Sequence, residues 1–486
     1  MRLMKFLFVT YCLVLLTSCN KDEDPKGADQ EETVEDFEFA VDIGGSKIPY
    51  IVINTGDASI NNEPKVPARM VVFENGEITE RLHIGIEFRG STSFRISDKK
   101  SFGFESWDEE GGDIDVELLG FPEEEDWILN GHVVNLQNQF MYDRTLMYHH
   151  LGYDLYRQTN RYASRTKFVE LEINGEYLGV YVFMEKIKRD KNRLDINKME
   201  GTDVDVTGGY VLKIDKTTGG AENAGQPLEY FLNNWADDAR YNVINSWRSQ
   251  FDVFGNPMLI PPYGEPYHPE MYLETYFLYE YPSSEDITTD QKEYIQQYMD
   301  SFEAALIADD LESGQRTYAE YIDINSFIDH MLITELVRNV DAYRLSTFLY
   351  KDRGGKLSMG PVWDLNIGFD SGDRIPWDGW VYQYNTYVEQ DPWMVHFWWP
   401  RLMQDPVYTA ALKTRWQALR SGPLSNSNVL GKVGETANYL KVNGAVSRNY
   451  EVWDAGIGVD YNASVASLRE FLEYRLSWMD EQIAAF

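Results

Sequence analysis

The stretch NVDAYRLSTFLYKDRGGKLSMGPVWDLNIGFD, residues 339–370, places two carboxylates on either side of a predicted β-hairpin. Residues 348–351 and 356–359 are short apolar-rich runs joined by an Arg-Gly-Gly turn, a composition typical of paired strands. Asp341 precedes the hairpin and Asp364 follows it, each beside large apolar residues. Two interpretations stay open: each acid is a cap or a salt-bridge partner, or the pair belongs to a cation or catalytic site.

The chain upstream of this hairpin is predicted to be rich in β-strands. Residues 50–54, 70–73 and 82–88 are apolar or alternating segments separated by turn residues. The clearest hairpin joins KFVELEI to EYLGVYVFME through Asn174-Gly175, a dipeptide that favours a tight turn. A further strand is predicted at 210–214.

Helical periodicity predicts helices at 138–159, 291–308 and 324–340, and mostly helical structure from Trp398 to the end. Residues 216 to about 285 hold Gly, Asn, Pro and Tyr in irregular order, which predicts a long, elaborated loop region. The sequence therefore indicates a mixed α+β chain whose strands precede most of its helices.

Composition excludes several classes of function. The chain has 486 residues, 43% of them apolar, which is enough for a large core of two to four domains. Its formal net charge of -35 repels phosphate backbones, so we expect no nucleic-acid partner. The sequence contains no HExxH, paired CxxC, GxSxG or Walker motif, which argues against the zinc, nucleophile-elbow and P-loop chemistries of those motifs.

The N-terminus is predicted to be a secretory signal. Arg2 and Lys5 precede an apolar run over residues 6–16, and this run is too short for a membrane span. Leu-Thr-Ser-Cys, residues 16–19, resembles a bacterial lipobox, which implies a signal peptide over 1–18 and a lipid on Cys19. The alternative is an ordinary signal peptide with a cysteine there by chance.

The residues that follow Cys19 are polar and acidic, and they predict a disordered tether over 19–36. Their Lys-Asp-Glu start resembles the surface-export signal of Bacteroidetes lipoproteins. We therefore expect a protein anchored by lipid at the outer membrane or cell surface of a Gram-negative bacterium.

Basic residues near the ends of predicted strands are a second candidate feature. They are Arg89, Lys100, Lys186 and Lys213. Such a set can neutralise a polyphosphate, while Asp341, Asp364 and Asn366 offer the oxygen ligands that hard divalent cations take. Cations, a metal site and a carboxylate are the parts that phosphoryl transfer requires.

Five segments in a preserved order resemble the CotH kinase family, the spore-coat type of atypical protein kinase. They are FRGSTSFRISDKKSFGFE, DWILNGHVVNLQNQFMYDRTLMYHHLG, FVELEINGEYLGVYVFMEKIKRDKNRLDI, GGYVLKID and the stretch over 339–370. The resemblance extends over about residues 46–370, and FWWPRLMQDPVYTAALKTRWQALRSG is similar to the C-terminal extension of Bacteroidetes members.

This resemblance implies an α+β, divergent protein-kinase-like fold, with a β-rich N-terminal lobe, a mostly helical C-terminal lobe, and ATP and Mg²⁺ between them. The implied kinase-like domain covers 37–375, and a helical extension covers 376–486. Within the domain we expect a β-rich part to about 215, an insert over about 216–320 and a catalytic helix-hairpin part over about 321–375.

The resemblance also assigns roles to residues. Asp341 matches the acid at the phosphoryl-transfer centre, and Asp364 matches the metal-binding acid, with Asn366 as a further ligand. Lys100 or Lys186 is expected to contact the phosphates, and Glu185 to pair with one of these lysines. The implied nucleotide-binding residues are Arg89, Lys100, Glu185, Lys186 and Lys213.

Four positions depart from the family pattern. Tyr148 stands where Arg is usual, and Ser346 stands where many members have Asn. Asn366 replaces a usual Asp and removes a formal charge, whereas Asp370 replaces a usual Gly and is expected to restore a carboxylate nearby.

Three functions follow as hypotheses. The first is a kinase that phosphorylates Ser or Thr of an extracytoplasmic protein. The second is a kinase-like scaffold with weak or no catalysis. The third is a glycan-binding surface lipoprotein, because PWDGWVYQYNTYVEQDPWMVHFWWP, residues 376–400, is rich in the aromatic faces on which sugars stack. The alternative for this segment is packing of the C-terminal helices onto the core.

Overall fold

The computed structural model describes residues 45–217, 241–265, 268–389 and 391–486. The predicted signal peptide (1–18), the lipidated Cys19 and the acidic tether (19–36) lie outside these residues. The described chain has the α+β organisation that we predicted, with a β-rich N-terminal region and helices in the C-terminal part. Within it, the search for a helix both long enough and apolar enough to cross a membrane finds none.

The strands begin where the alternating segments begin and mostly end at turn residues. They are β1 (Tyr50–Asn54), β2 (Val66–Glu74), β3 (Glu77–Arg89), β4 (Ser101–Trp107), β5 (Val116–Leu118), β6 (Phe121–Glu124), β7 (Asp126–Asn130), β8 (Val134–Asn135), β9 (Phe140–Met141), β10 (Thr166–Ile173), β11 (Glu176–Glu185), β12 (Tyr210–Ile214), β13 (Ser246–Arg248), β14 (Tyr276–Tyr281), β15 (Thr347–Lys351) and β16 (Leu357–Met359).

The helices concentrate after residue 288. They are α1 (Thr92–Ile96), α2 (Tyr148–Arg157), α3 (Thr289–Ala308), α4 (Ile324–Leu336), α5 (Tyr384–Tyr387), α6 (Trp398–Leu402), α7 (Pro406–Arg420), α8 (Asn426–Val442), α9 (Ala445–Trp453) and α10 (Tyr461–Ala484).

Seven strands form a closed barrel in the order β1-β10-β11-β7-β4-β3-β2. The pair β1–β10 is parallel, every other neighbouring pair is antiparallel, and β2 pairs with β1 to close the barrel. Because strand side chains alternate between two faces, one face of each strand fills an apolar interior. Buried residues of this interior include Ile51, Met70, Ile84, Phe104 and Phe183.

A second, five-stranded antiparallel sheet has the order β13-β14-β12-β15-β16. The hairpin predicted within 339–370 is confirmed as β15 and β16. The stretch expected to be a loop region contributes β13 and β14 to this sheet. Strand β14, which is rich in aromatic and apolar residues, pairs with β12. The other neighbour of β12 is β15.

Two predicted helices are shorter than their periodicity indicates. Helix α2 begins at Tyr148 and not at 138, because the Asp143 carboxylate accepts hydrogen bonds from the backbone amides of Thr145 (2.9 Å) and Tyr148 (2.8 Å) and organises the turn before the helix. Helix α4 ends at Leu336, where the sequence predicts continuation to 340. Arg338 takes a positive φ of 48°, which a right-handed helix does not accommodate.

Helix α9 docks on the β10–β11 hairpin, and we call this contact the clamp: Glu170, Lys99, Arg448, Asn449 and Trp453. Arg448 donates two hydrogen bonds of 2.6 Å to the fully buried Glu170 carboxylate. Asn449 Oδ1 accepts one from the Lys99 ammonium (2.9 Å), and Trp453 donates to a backbone carbonyl of the hairpin (2.8 Å). The clamp therefore joins the C-terminal helices to the barrel through paired polar groups.

The aromatic segment over 376–400 mainly packs against the core. Trp380, Tyr384, Trp398 and Trp399 are buried, and all four belong to the main hydrophobic cluster. For these four side chains the packing interpretation is confirmed, since a buried ring offers no face to a sugar.

Candidate active site

A cleft that is open to solvent separates the end of the barrel from the loop that follows β16. The barrel side is formed by the ends of β3 and β7 and by the first turn of α2. Its polar or aromatic lining includes Arg89, Ser93, Ser101, Asn130, His149, Tyr153, Trp363, Asp364 and Asn366. The cleft thus brings together residues separated by more than 270 positions in the sequence.

Asp364 presents a carboxylate to this cleft without a strong partner. Its side chain is 35% exposed, and its ion-pair contact among the described residues is a long one with His149, whose Nε2 lies 3.8 Å from Oδ1. The other ring nitrogen of His149 lies 3.3 Å from the amide nitrogen of Asn130. The resemblance assigns no role to His149, although this histidine stands in one of the segments that resemble the kinase family.

Arg89 brings a cation to the same cleft. Its guanidinium stacks on Trp363, 5.8 Å from the ring centroid, and makes no hydrogen bond or ion pair with any residue that the structure describes. Burial lowers the pKa of Arg89 from its usual value, yet an arginine remains protonated at neutral pH. The carboxylates of Glu87, Asp126 and Glu280 favour its charged form from a distance, and none of them forms an ion pair with it. A guanidinium whose N–H groups have no close partner suits a ligand with negatively charged oxygens.

Asp341 lies next to this cleft and is not among its lining residues. Its Oδ1 accepts a 2.5 Å hydrogen bond from Arg344, and Arg374 lies 3.8 Å from the same oxygen. Burial raises the pKa of the Asp341 carboxyl against the lowering effect of Arg344, and the charge of Asp364 raises it further. Asp364 is therefore close enough to Asp341 to influence the ionisation of Asp341.

Asn339 connects the loops that carry the two acids. Its side-chain oxygen accepts a hydrogen bond from the Asp341 amide (3.3 Å), and its side-chain nitrogen donates to the Asp364 carbonyl oxygen (2.9 Å). Asn339 itself is buried, so these bonds are shielded from water. Asn339, two positions before Asp341, therefore holds the two acidic loops together.

The backbone around the two acids is strained. Arg338, Tyr343, Ser346, Asp364 and Phe369 all have positive φ angles, between 46° and 72°. Non-glycine residues in this region of φ cost free energy and persist where the surrounding structure holds them, often at functional sites. Five of them within 32 residues mark the 338–369 segment as one whose geometry is imposed by its surroundings.

Most of the predicted nucleotide-binding residues do not line the cleft. Lys100 donates to the backbone carbonyls of Phe94 and Ser97 (2.7 Å each) and binds the end of α1. Lys186 pairs with Asp126 at 3.1 Å. Of the five predicted residues, only Arg89 lines the cleft.

The expected lysine–glutamate pair is replaced by a different one. The Glu185 carboxylate pairs with the Arg165 guanidinium and also accepts a hydrogen bond from the Arg165 amide (2.9 Å). The reason is the strand register, which sets Arg165 beside the last residue of β11. Lys213 pairs with Glu280 at 3.3 Å.

Two departures from the family pattern contact each other. The Tyr148 hydroxyl donates to the Asp370 carboxylate, whose other oxygen accepts from Ser467 (2.7 Å). Asp370 is therefore occupied by these partners, and it does not join Asp364 in the cleft lining as we expected. Ser346, a third departure, donates to Asp215 at 3.3 Å.

The residues of the cleft fit a hard divalent cation. Asp364 and Asn366 offer a carboxylate and an amide oxygen on one wall, which is the donor chemistry that Mg²⁺ prefers. A group of three acids elsewhere, Asp115, Glu124 and Glu125, has ligand atoms within 4.8 Å of one another. The ammonium of Lys188 already pairs with two of these three carboxylates, so this group suits a cation less well.

A comparison with protein families finds one match. The family model described as CotH kinase protein matches residues 86–479, which is more than half of the chain and includes both walls of the cleft. No curated protein matches the chain.

Proposed function

The chain belongs to the CotH kinase protein family, and from this premise we propose that its cleft binds Mg-ATP and transfers the γ-phosphate to a Ser or Thr hydroxyl of an extracytoplasmic protein. The proposal rests on two groups of opposite charge, Arg89 and Asp364, which line the same cleft and have no close ion-pair partner in the described part of the chain. Arg89 has no ion-pair partner among the described residues, and Asp364 has none closer than His149 at 3.8 Å. A metal-bound polyphosphate supplies what both groups lack, since its oxygens suit Arg89 and its cation suits Asp364.

Each residue has a defined part in this proposal. Asp364 and Asn366 would hold Mg²⁺, which when bound neutralises charge on the phosphates. Arg89 would bind phosphate oxygens from the barrel side, with its plane held by Trp363. Asp341, beyond the lining, would face the acceptor hydroxyl and take its proton.

The proposed phosphoryl transfer is a displacement at the γ-phosphorus. The acceptor hydroxyl oxygen forms a bond to the γ-phosphorus, while the bond between that phosphorus and the β–γ bridging oxygen breaks. ADP leaves with the electron pair of the broken bond, and the hydroxyl proton passes to the Asp341 carboxylate. The raised pKa of Asp341 makes it a better proton acceptor than an exposed aspartate.

We also propose that the protein acts outside the cytoplasm, held by a lipid on Cys19 at the outer membrane or cell surface. The support is the lipobox-like Leu-Thr-Ser-Cys sequence and the polar tether after it. Metabolic labelling with an alkyne fatty acid is expected to mark the wild-type protein and not Cys19→Ala. Equal labelling of both proteins would contradict this part of the proposal.

The test of the kinase activity uses the mature chain with radiolabelled ATP. Thermal shift with Mg-ATP measures binding, and label transfer to the protein itself and to dephosphorylated casein measures catalysis. We expect Asp364→Asn to lower transfer by at least about 100-fold, because it removes the charged metal ligand. Arg89→Gln is expected to weaken Mg-ATP binding by about 10-fold, the value of one charge-assisted hydrogen bond.

Matched controls exist in the same elements. Arg81→Gln changes an exposed arginine of β3, and Asp373→Asn changes an exposed aspartate shortly after Asp364. Both controls are expected to behave like the wild type. The proposal fails if the wild type shows no Mg-ATP binding, or if the controls lose as much as the cleft variants.

A kinase-like scaffold is the second candidate. The observation that favours it is the ion pair between Asp341 and Arg344, which occupies one oxygen of the expected base. Asn366 also offers the cation a neutral ligand in place of a carboxylate. This candidate predicts Mg-ATP binding without transfer, so the same two assays distinguish it from the kinase.

A further inference from the structure

The Asp341 carboxylate is held by Arg344, and Arg344 is held in turn by side chains that lie beyond the segment that resembles the catalytic part of the family. We propose that Arg344 is the positioning residue for Asp341, and that Tyr384 and Asp391 of the C-terminal extension hold Arg344 in place. This inference rests on the proposed phosphoryl transfer. It makes the extension part of the active site and gives the ion pair between Asp341 and Arg344 a function other than inactivation.

Arg344 uses every nitrogen of its guanidinium. Nη2 donates to Asp341 Oδ1 (2.5 Å), and Nη1 donates to Asp391 Oδ1 (3.0 Å) and to the Trp393 carbonyl oxygen (2.9 Å). Nε donates to the Val340 carbonyl oxygen (2.9 Å). The Arg344 side chain is 1% exposed. Its planar, rigid guanidinium therefore fixes the distance between the carboxylates of Asp341 and Asp391.

Asp391 is fixed in turn from two directions. Its Oδ2 accepts a hydrogen bond from the Tyr384 hydroxyl (2.8 Å), and its Oδ1 accepts one from the Trp393 amide (3.0 Å). The Tyr384 ring also lies 4.2 Å from the Arg344 guanidinium carbon, which is within the range of a cation–π contact. Tyr384 therefore supports both members of the pair.

The two oxygens of the Asp341 carboxylate have different surroundings. Oδ1 is bound by Arg344, with Arg374 at 3.8 Å from the same atom. Oδ2 accepts no hydrogen bond from any residue that the structure describes. The geometry leaves Oδ2 to the acceptor hydroxyl, whose proton it takes as the bond from oxygen to phosphorus forms, and Oδ1 keeps the carboxylate from rotating.

A purely structural ion pair would behave differently from a positioning pair. Loss of a structural pair lowers the fraction of folded protein, so the apparent kcat falls in proportion to that fraction while the KM for ATP is unchanged. Loss of a positioning pair lowers kcat per folded, ATP-binding molecule, again at unchanged KM, because Arg89 and Asp364 still bind the nucleotide. The two interpretations therefore separate when kcat is divided by the concentration of folded protein that binds Mg-ATP.

The experiment measures kcat and KM for transfer to casein in the mature chain. We expect Arg344→Met to lower kcat by about 100-fold and Asp391→Asn by about 10-fold, with KM for ATP within about twofold, as for a displaced catalytic group. Arg344→Lys should recover part of the loss, since a lysine keeps the charge and loses the fork. Tyr384→Phe keeps the ring, removes the hydroxyl and should show the smallest loss. Asp378→Asn, an exposed position of the same segment, is the matched control.

Folding is checked by the Mg-ATP thermal shift of each variant. If Arg344→Met does not fold, Asp391→Asn and Tyr384→Phe decide the question. Unchanged kcat in these two variants overturns the inference while leaving the kinase proposal intact. A fall in kcat that only follows the loss of folded protein overturns it as well. A wild type that binds Mg-ATP and transfers no phosphate overturns the proposed transfer together with this inference.

Discussion

The clamp and the cleft are two polar regions of one barrel, and they treat charge in opposite ways. In the clamp, the buried Glu170 carboxylate accepts hydrogen bonds from Ser46, Tyr177 and Arg448. In the cleft, Arg89 has no hydrogen-bond partner among the described residues. A buried charge is stable only when it is paired, whereas a site that takes a charged ligand needs unpaired charge. The comparison teaches that the clamp uses its charges to join two parts of the fold, whereas the cleft leaves charged groups without close partners within the described ranges, as the proposed function requires.

The largest expected effect concerns the clamp. Glu170→Ala leaves Arg448 without its carboxylate and is expected to lower the free energy of unfolding by about 3–5 kcal/mol. Urea denaturation followed by circular dichroism measures this. Glu176→Ala, an exposed position of the same hairpin, should change stability by less than about 0.5 kcal/mol. Equal effects at the two positions would remove the distinction between the clamp and an ordinary surface.

The next effect separates the clamp from the turn beside it. Gly179 and Gly175 both have positive φ angles, of 83° and 81°. A Cβ at Gly179 would lie 2.5 Å from Asn449 Oδ1, whereas at Gly175 it meets nothing within 4 Å. Gly179→Ala is therefore expected to cost about 3 kcal/mol and Gly175→Ala about 1 kcal/mol in thermal unfolding. A cost at Gly179 no larger than at Gly175 would show that α9 does not press on the hairpin.

The smallest expected effect on stability concerns His330, a buried histidine close to the loops that carry Asp341 and Asp364. His330 lies beside Asn339 and Trp363, and neither of its ring nitrogens has a hydrogen-bond partner among the described residues. Burial lowers the pKa of His330 to about 3 from the usual value of 6.5. Between about pH 3 and pH 6.5 the unfolded chain binds one more proton, at His330, than the folded chain does. This contribution to the free energy of unfolding therefore keeps its full value above pH 6.5 and decreases as the pH falls below it.

His330→Phe removes this linkage. Wild type should lose about 2 kcal/mol more than His330→Phe when the pH falls from 7 to 5, as measured by urea denaturation at both values. Met331→Leu, at a buried residue of the same helix, is the control: it changes packing without removing a titratable group, so it should keep the wild-type dependence. An identical pH dependence in wild type and His330→Phe would mean that His330 takes up its proton as readily in the folded protein as in the unfolded chain, which contradicts the burial of an unpartnered imidazole.

Much of the local structure follows from the sequence. The Asn174-Gly175 turn predicts the β10–β11 hairpin, and the alternating runs predict β1, β2 and β3. These predictions are confirmed because strand periodicity and turn chemistry act between neighbouring residues. Helix ends were predicted less well, since Asp143 and the positive φ of Arg338 act through contacts that periodicity does not reveal.

The side chains of adjacent lysines show where sequence reasoning stops. Lys99 and Lys100 stand together in a segment that resembles the family pattern, and this resemblance predicts that Lys100 contacts the phosphates of the nucleotide. In the structure, Lys99 joins the clamp, and Lys100 binds the carbonyl oxygens at the end of α1. Burial lowers the pKa of Lys99 well below its usual value, which agrees with a structural position that offers no carboxylate.

The order of strands and turns, the acidic character of the chain, the family and the two acids around the β15–β16 hairpin are all readable from the residues alone, because each depends on composition or on near neighbours. The identity of the groups that meet in the cleft is not. Arg89 and Asp364 are 275 positions apart, and Arg344 meets Asp391 only because the extension folds back over the hairpin. Contacts of this kind depend on how closed sheets and helices pack, and no local pattern encodes them.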